Sequence, residues 1–264
     1  MATVAHEARV RGRRRPLSRK LGAAGPLTYV FLIVVALVSM FPLYWSLVVA
    51  SHDNSAVAAY PPVLTPGHEL WHNLHRLFNS GEVNVDFWTA LVNSAIVATV
   101  VTVSVVLFSA LAGFAFAKLR FRGSKFLFVT VIAPNLASAF GVFLMRQYIS
   151  GSVPNELIDA ARVDGCYTFG VFRHVIWPAV RPVAAVLGLL TFMTTWNDFF
   201  WPLVVLSPRN PTVQVAVSTL ASGYVQDYAL VLTGTFVSII PLLIVFLVLG
   251  RNIIGGIMRG AVKG

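Results

Sequence analysis

Apolar residues fill four long blocks of this chain, roughly 27–50, 88–117, 183–206 and 230–250, with almost no charge inside them. Each holds about the 20 residues that a helix needs to cross a hydrocarbon layer ~30 Å thick. A fifth block, 126–145, is shorter and is interrupted by Ala133-Pro134-Asn135. One such block alone would read as a buried helix of a soluble protein. Five in a chain of 264 residues predict an all-α membrane protein, a polytopic helical bundle. The expected organisation is a basic segment over 1–26, a first transmembrane helix over 27–50, a loop over 51–87, a core over 88–250 and a tail over 251–264.

One charged island, from Glu156 to Pro182, interrupts that core. Ser152 and Pro154 are helix start signals, and Gly165 is a stop that permits a left-handed turn. Phe169, Phe172 and Ile176 then recur at helical spacing, and Pro178 is expected to end this second piece. The pattern predicts two short helices broken at Gly165, within a loop over 150–182.

Composition agrees: 57% of residues are hydrophobic and only 11% charged, which sets soluble globular classes aside. A net charge of +10 raises nucleic acid as a partner, but its distribution argues against one. Arg9, Arg11, Arg13, Arg14, Arg15, Arg19 and Lys20 face a single acid, Glu7, in the first 25 residues. The loop 51–87 has Arg76 against Asp53, Glu69, Glu82 and Asp86, and the next loop is again basic, with Lys118, Arg120, Arg122 and Lys125. This alternation places the N-terminus in the cytoplasm, beside anionic lipid, and Arg251, Arg259 and Lys263 place the C-terminus there too. The first block is too long for a signal-peptide core and reads as a retained anchor. A single cysteine, Cys166, rules out an internal disulfide framework.

The island resembles the coupling loop of importer-type ATP-binding-cassette permeases, whose pattern is E-A-A, three residues, then G. Here it reads Asp159-Ala160-Ala161-Arg162-Val163-Asp164-Gly165, with aspartate where the family usually has glutamate. Further pieces look like the carbohydrate-uptake, MalG-like subgroup: Thr195-Trp196-Asn197-Asp198-Phe199-Phe200-Trp201-Pro202-Leu203, Asn93-Ser94, and the ending Gly260-Ala261-Val262-Lys263-Gly264. The resemblance runs from about Tyr29 to Gly264. It implies a type I importer permease with six spans, in a bacterial cell membrane. It also implies a second permease subunit, an ATPase homodimer or heterodimer, an extracellular solute-binding lipoprotein and a sugar of the di- or oligosaccharide class as partners.

Glu156, Leu157, Asp159, Ala160, Ala161, Asp164 and Gly165 would then meet the ATPase, and the tail from Gly260 to Gly264 would reach between its subunits. No G-x-x-x-x-G-K-[ST] phosphate loop occurs in the sequence, so ATP and magnesium would be bound by the partner and no catalytic residue or cofactor is assigned to this chain. Topology adds one expectation. A cytoplasmic coupling loop needs an even number of crossings between 118–125 and the island, yet only 126–145 is there. Either that block is a re-entrant hairpin bent at Pro134, or a piece is missing near Ile132 to Pro134. The family comparison favours the second.

Trp196, Asn197 and Asp198 fall inside the block 183–206, where a charge is expensive and normally faces a cavity or a partner. They are candidates for the translocation path or gate, with a hydrogen bond between helices as the structural alternative. An ion-coupled secondary transporter is a competing reading, although no internal repeat supports it. His68-Glu69-Leu70-Trp71-His72 is a literal H-E-x-x-H zinc-protease pattern, followed closely by His75. Pro66-Gly67 precede it in a loop between two spans, so metal binding is not expected there.

Overall fold

The computed structural model describes residues 25–57, 60–79, 85–119, 138–207, 209–222 and 226–261, with side chains to 250. The expected junction at Ile132 to Pro134 lies outside the described residues, as do the basic head, Arg120, Arg122, Lys125, Val262, Lys263 and Gly264. Every regular element among the described residues is helical: α1 Pro26–Ala50, α2 Asn54–Val57, α3 Leu70–Phe78, α4 Phe87–Lys118, α5 Ala139–Ser152, α6 Asn155–Val163, α7 Thr168–Trp196, α8 Phe200–Val205, α9 Val213–Ala221 and α10 Tyr228–Ala261. Of these, α1, α4, α7 and the Tyr228–Gly250 part of α10 are long and apolar enough to span a membrane. Two units are distinguished, one ending at Tyr44 and one starting at Trp45. In the first, the large apolar side chains of α1 are exposed, as in a helix whose solvent is lipid.

α1, α4 and the Tyr228–Gly250 part of α10 begin and end within about two residues of the apolar blocks that predict them, and α10 continues beyond its block to Ala261. The block 183–206 behaves differently. Its helix starts at Thr168, runs through both Pro178 and Pro182, and stops at Trp196. Pro178 does not end a helix because the residues just before it, Phe172–Ile176, form a π-helical turn. The wider turn accommodates a residue that lacks an N–H and crowds the carbonyl before it. The segment between α5 and α7 is therefore only 153–167, much shorter than the expected loop.

In the second unit α4 packs on α5 and α7, and α10 on α7 and α3. One apolar cluster joins Phe114 of α4, Met145 and Ile149 of α5, Ile158 of α6 and Phe172, Ile176 and Leu187 of α7. Another joins Leu77 of α3, Phe87 and Ala90 of α4, Phe192 and Trp196 of α7, Val213 of α9 and Leu230 of α10. Helices in lipid gain little from burying apolar surface and associate through close packing and hydrogen bonds. Gly113 supplies such packing: a Cβ there would lie 2.6 Å from Met145 Cβ and 2.9 Å from the Arg146 backbone nitrogen. Gly113→Val is expected to push α5 off α4 at a cost of about 1–3 kcal/mol. A fall in the thermal unfolding midpoint in detergent would register it; an unchanged midpoint would show that the helices part freely.

Polar groups close the helix ends. Asp86 caps α4, accepting from the Thr89 hydroxyl at 2.6 Å and the Thr89 backbone N–H at 3.0 Å. These bonds, the hydroxyl's first, hold the Asp86 carboxyl below the ordinary carboxylate range. Buried Asn73 donates to the Ala50 carbonyl at 3.0 Å and the His52 carbonyl at 2.8 Å, satisfying the otherwise orphaned end of α1. Asp227 caps α10 at Leu230 and pairs with Arg76 of α3 at 2.8 Å. Asn54 uses both ends of its amide on the same corner, donating to the Gln226 carbonyl and accepting from the Tyr228 N–H.

Candidate functional site

Two regions at opposite ends of α7 carry most of the predicted site residues. The helix has 29 residues, about 43 Å at 1.5 Å per residue.

At its start stands α6. Pro154 is its N-cap, Glu156 lies in its first turn and Arg162 in its last, a charge order that suits the helix dipole. Gly165 has φ +82° and closes α6 with two bonds: its own N–H donates to the Arg162 carbonyl at 3.0 Å, and Cys166 N–H donates to the Ala161 carbonyl at 2.9 Å. This is a Schellman turn, which needs a left-handed residue at that place. Ile158 points inward and is 5% exposed. Glu156, Leu157, Asp159, Ala160, Asp164 and Gly165 are exposed, and Ala161 is half-buried. Val163 and Tyr167 are each 88% exposed. Arg162 approaches Asp159 at 3.9 Å, a surface pair that contributes little. The result is an acidic, partly apolar face, rigidly held from behind. Such a face suits a protein partner with basic groups around an apolar recess.

At the far end of α7 the helix breaks over 197–199 before α8. The three residues grouped there by sequence part company. Trp196 is 2% exposed, stacks on Phe192 at 5.6 Å and donates Nε1–H to the Ser238 carbonyl at 3.2 Å. In this state it is a core residue, closed to any solute. Asn197 is exposed, donates to the Met193 carbonyl at 2.8 Å and accepts from Gln214 Nε2 at 3.3 Å. Asp198 is half-buried and sits at the helix break, not mid-span, where it accepts from the Trp201 N–H at 3.4 Å. Exposed aromatic residues follow this polar pair, Phe199, Phe200 and Trp201, the last 64% exposed.

Asn93 and Ser94 have a definite structural task. Asn93 donates to the Pro211 carbonyl at 3.2 Å, and buried Ser94 Oγ accepts from the Val213 N–H at 2.8 Å. Together they hold the start of α9, and hence Gln214, against α4. Nothing in the sequence singles out Lys118 or the Arg76–Asp227 pair, because partners far apart along the chain leave no local signal. The H-E-x-x-H pattern does not make a zinc helix. Glu69 is the N-cap of α3, so His68 lies outside the helix that carries His72 and His75. Among the described residues no group of three or more His, Cys, Asp or Glu could hold a metal ion. Gly260 and Ala261 lie on the end of α10.

Residues 77–255 match the family of binding-protein-dependent transport system inner membrane components. This chain belongs to that family. The permease is 32% identical to the lactose transport system permease protein LacG of Rhizobium radiobacter, over 89% of this chain and 95% of that one. It is 30% identical to the arabinooligosaccharides transport system permease protein AraQ of Halalkalibacterium halodurans, over 87% and 93%. The sn-glycerol-3-phosphate permease UgpE of Shigella flexneri is 29% identical over 88% and 95%. A bacterial ABC transporter that imports the acidic polysaccharide alginate shares the fold, with a TM-score of 0.69 over 85% of this permease and 94% of that chain, at 21% identity. The alignment with AraQ runs over 274 positions, more than the 264 residues of this permease, so AraQ carries residues that have no counterpart here.

Proposed function

We propose that this permease is one transmembrane subunit of an ATP-driven importer of sugars, di- or oligosaccharides by preference. It would work with a second permease, a pair of ATPases that bind ATP and magnesium, and an extracellular solute-binding lipoprotein. The observation that carries the reading is α6. It is a short helix with one buried anchor, a left-handed closing turn and an exposed acidic face, in a chain of this family. The sugar class is supported by the names of LacG and AraQ. Charge asymmetry supports cytoplasmic termini, which puts α6 on the ATPase side.

Closure of the ATPases would pull α6 as a rigid knob, and α7 would carry the displacement to the break at Asn197 and Asp198. A rigid-body change of this kind exchanges inward- and outward-facing states. At the break, the exposed amide of Asn197 and the half-buried carboxylate of Asp198, beside Trp201, offer the hydrogen bonds and flat apolar face that a sugar ring takes. The tail from Gly260 to Gly264 would extend toward the ATPases. The lack of a counterpart for part of AraQ is consistent with a missing piece, which this reading puts near Ile132 to Pro134.

The test is ATPase activity of the purified assembly in nanodiscs with its binding protein, across mono-, di- and oligosaccharides. Stimulation by one or a few related sugars is the expected result. A copurified ATPase that responds to no sugar would overturn the substrate class, and absence of any copurified ATPase would overturn the importer reading.

A further inference from the structure

Lys118 is the last residue of α4 and lies beside the junction between α5 and α6. Its ammonium donates to the Val153 carbonyl at 2.6 Å and to Asn155 Oδ1 at 2.9 Å. Val153 is the C-cap of α5, and Asn155 is the first residue of α6. One cation therefore satisfies an orphan carbonyl at the negative end of one helix and holds the first side chain of the next. Only Pro154 separates the two contacts, and its fixed φ leaves the junction little freedom to swivel.

The surroundings make this link stiff. Val153 is 2% exposed and belongs to the same apolar cluster as Phe114 of α4 and Ile158 of α6. Gly113, five residues before the lysine, is where α4 and α5 approach too closely for any side chain. Ile158 anchors the middle of α6, and the Gly165 turn closes its far end. The start of α6 has the Lys118–Asn155 bond as its polar tie to a long helix other than the one that follows it in sequence.

We infer that Lys118 is a positioning residue for transport, a strut that makes α4 move with α6 so that displacement of α6 reaches two long helices instead of one. This rests on the importer reading above. Without the strut, α6 would still dock and α7 would still be pushed, but α4 would lag. Hydrolysis would then proceed with less sugar moved per ATP.

Lys118→Met keeps the aliphatic stem and removes the donors; Lys118→Arg keeps a cation. In proteoliposomes carrying the full assembly, Lys118→Met is expected to retain copurified ATPase and to lower sugar uptake per ATP by at least about tenfold, the effect of losing both charge-assisted hydrogen bonds of the ammonium. Lys118→Arg is expected to restore coupling to within about threefold, since a guanidinium can bond the same carbonyl. Asn155→Ala, on the exposed side, removes one of the two contacts and should give an intermediate ratio without loss of folding. Unchanged uptake per ATP in Lys118→Met would overturn the strut alone. So would failure of Lys118→Met to retain the ATPase, because the lysine would then build the docking site rather than transmit motion. A wild-type assembly with no ATP-driven uptake would overturn the importer reading and the strut with it.

Discussion

Replacing Trp196 with alanine is expected to destabilise the permease by about 3–5 kcal/mol, the range for emptying a large aromatic site in a packed interior. The indole is the largest fully buried side chain described, 2% exposed, and it ties α7 to α10 through its bond to the Ser238 carbonyl. Lipid does not drive such a site shut, because tails are as apolar as the cavity wall; what is lost is contact and one hydrogen bond. Trp196→Phe separates the two contributions. It keeps a ring against Phe192 and gives up the indole N–H, so it should cost only about 1 kcal/mol beyond the volume lost. Thermal unfolding followed by tryptophan fluorescence would rank the three proteins. A Trp196→Ala midpoint equal to wild type would mean that the indole is not a core residue in the membrane.

Gly165→Val is expected to leave the membrane helices assembled and to reduce transport at least tenfold. Nothing lies within 4 Å of a Cβ built on Gly165, so the substitution meets no neighbour. Its entire cost is the backbone angle: φ +82° is open to glycine and closed to a β-branched residue, a penalty of about 1–3 kcal/mol. The valine escapes by extending the chain, which breaks the bonds to the Ala161 and Arg162 carbonyls and unwinds the last turn of α6. Asp164 and Tyr167 then leave their places on the exposed face. Gly165→Asn is the control, because asparagine tolerates the left-handed region and should retain much of the uptake. Normal sugar uptake by Gly165→Val would refute the role given to this turn.

What the sequence revealed depended on how local the signal was. Uninterrupted apolar runs predict α1, α4 and the membrane-crossing part of α10 almost to the residue. Gly165 announces its turn because few other residues fit there. Pro178 misled, since a proline reads as a stop unless the turn before it widens, and no residue among Phe172–Ile176 signals a π turn. Trp196 and Trp201 sit in similar apolar surroundings in the sequence, yet one is sealed and the other is exposed, because α7 packs against its neighbours up to Trp196 while α8, beyond the break, buries none of its residues. Lys118 is legible as one more positive charge near a span end. Its partners, 35 and 37 residues away, appear only when α5 has folded back along α4.

The π turn in α7 also has a rotational meaning. An α-helix advances about 100° per residue, and a π turn takes up one residue more than the α turn it replaces. The angular phase between Phe172, packed near α6, and Asn197, at the distant break, is thus keyed by a single extra residue. Straightened into regular helix, the same sequence would turn a different side of the break outward. Rotation about its axis, set by that one residue, is therefore a built-in means by which the long helix fixes what its far end displays.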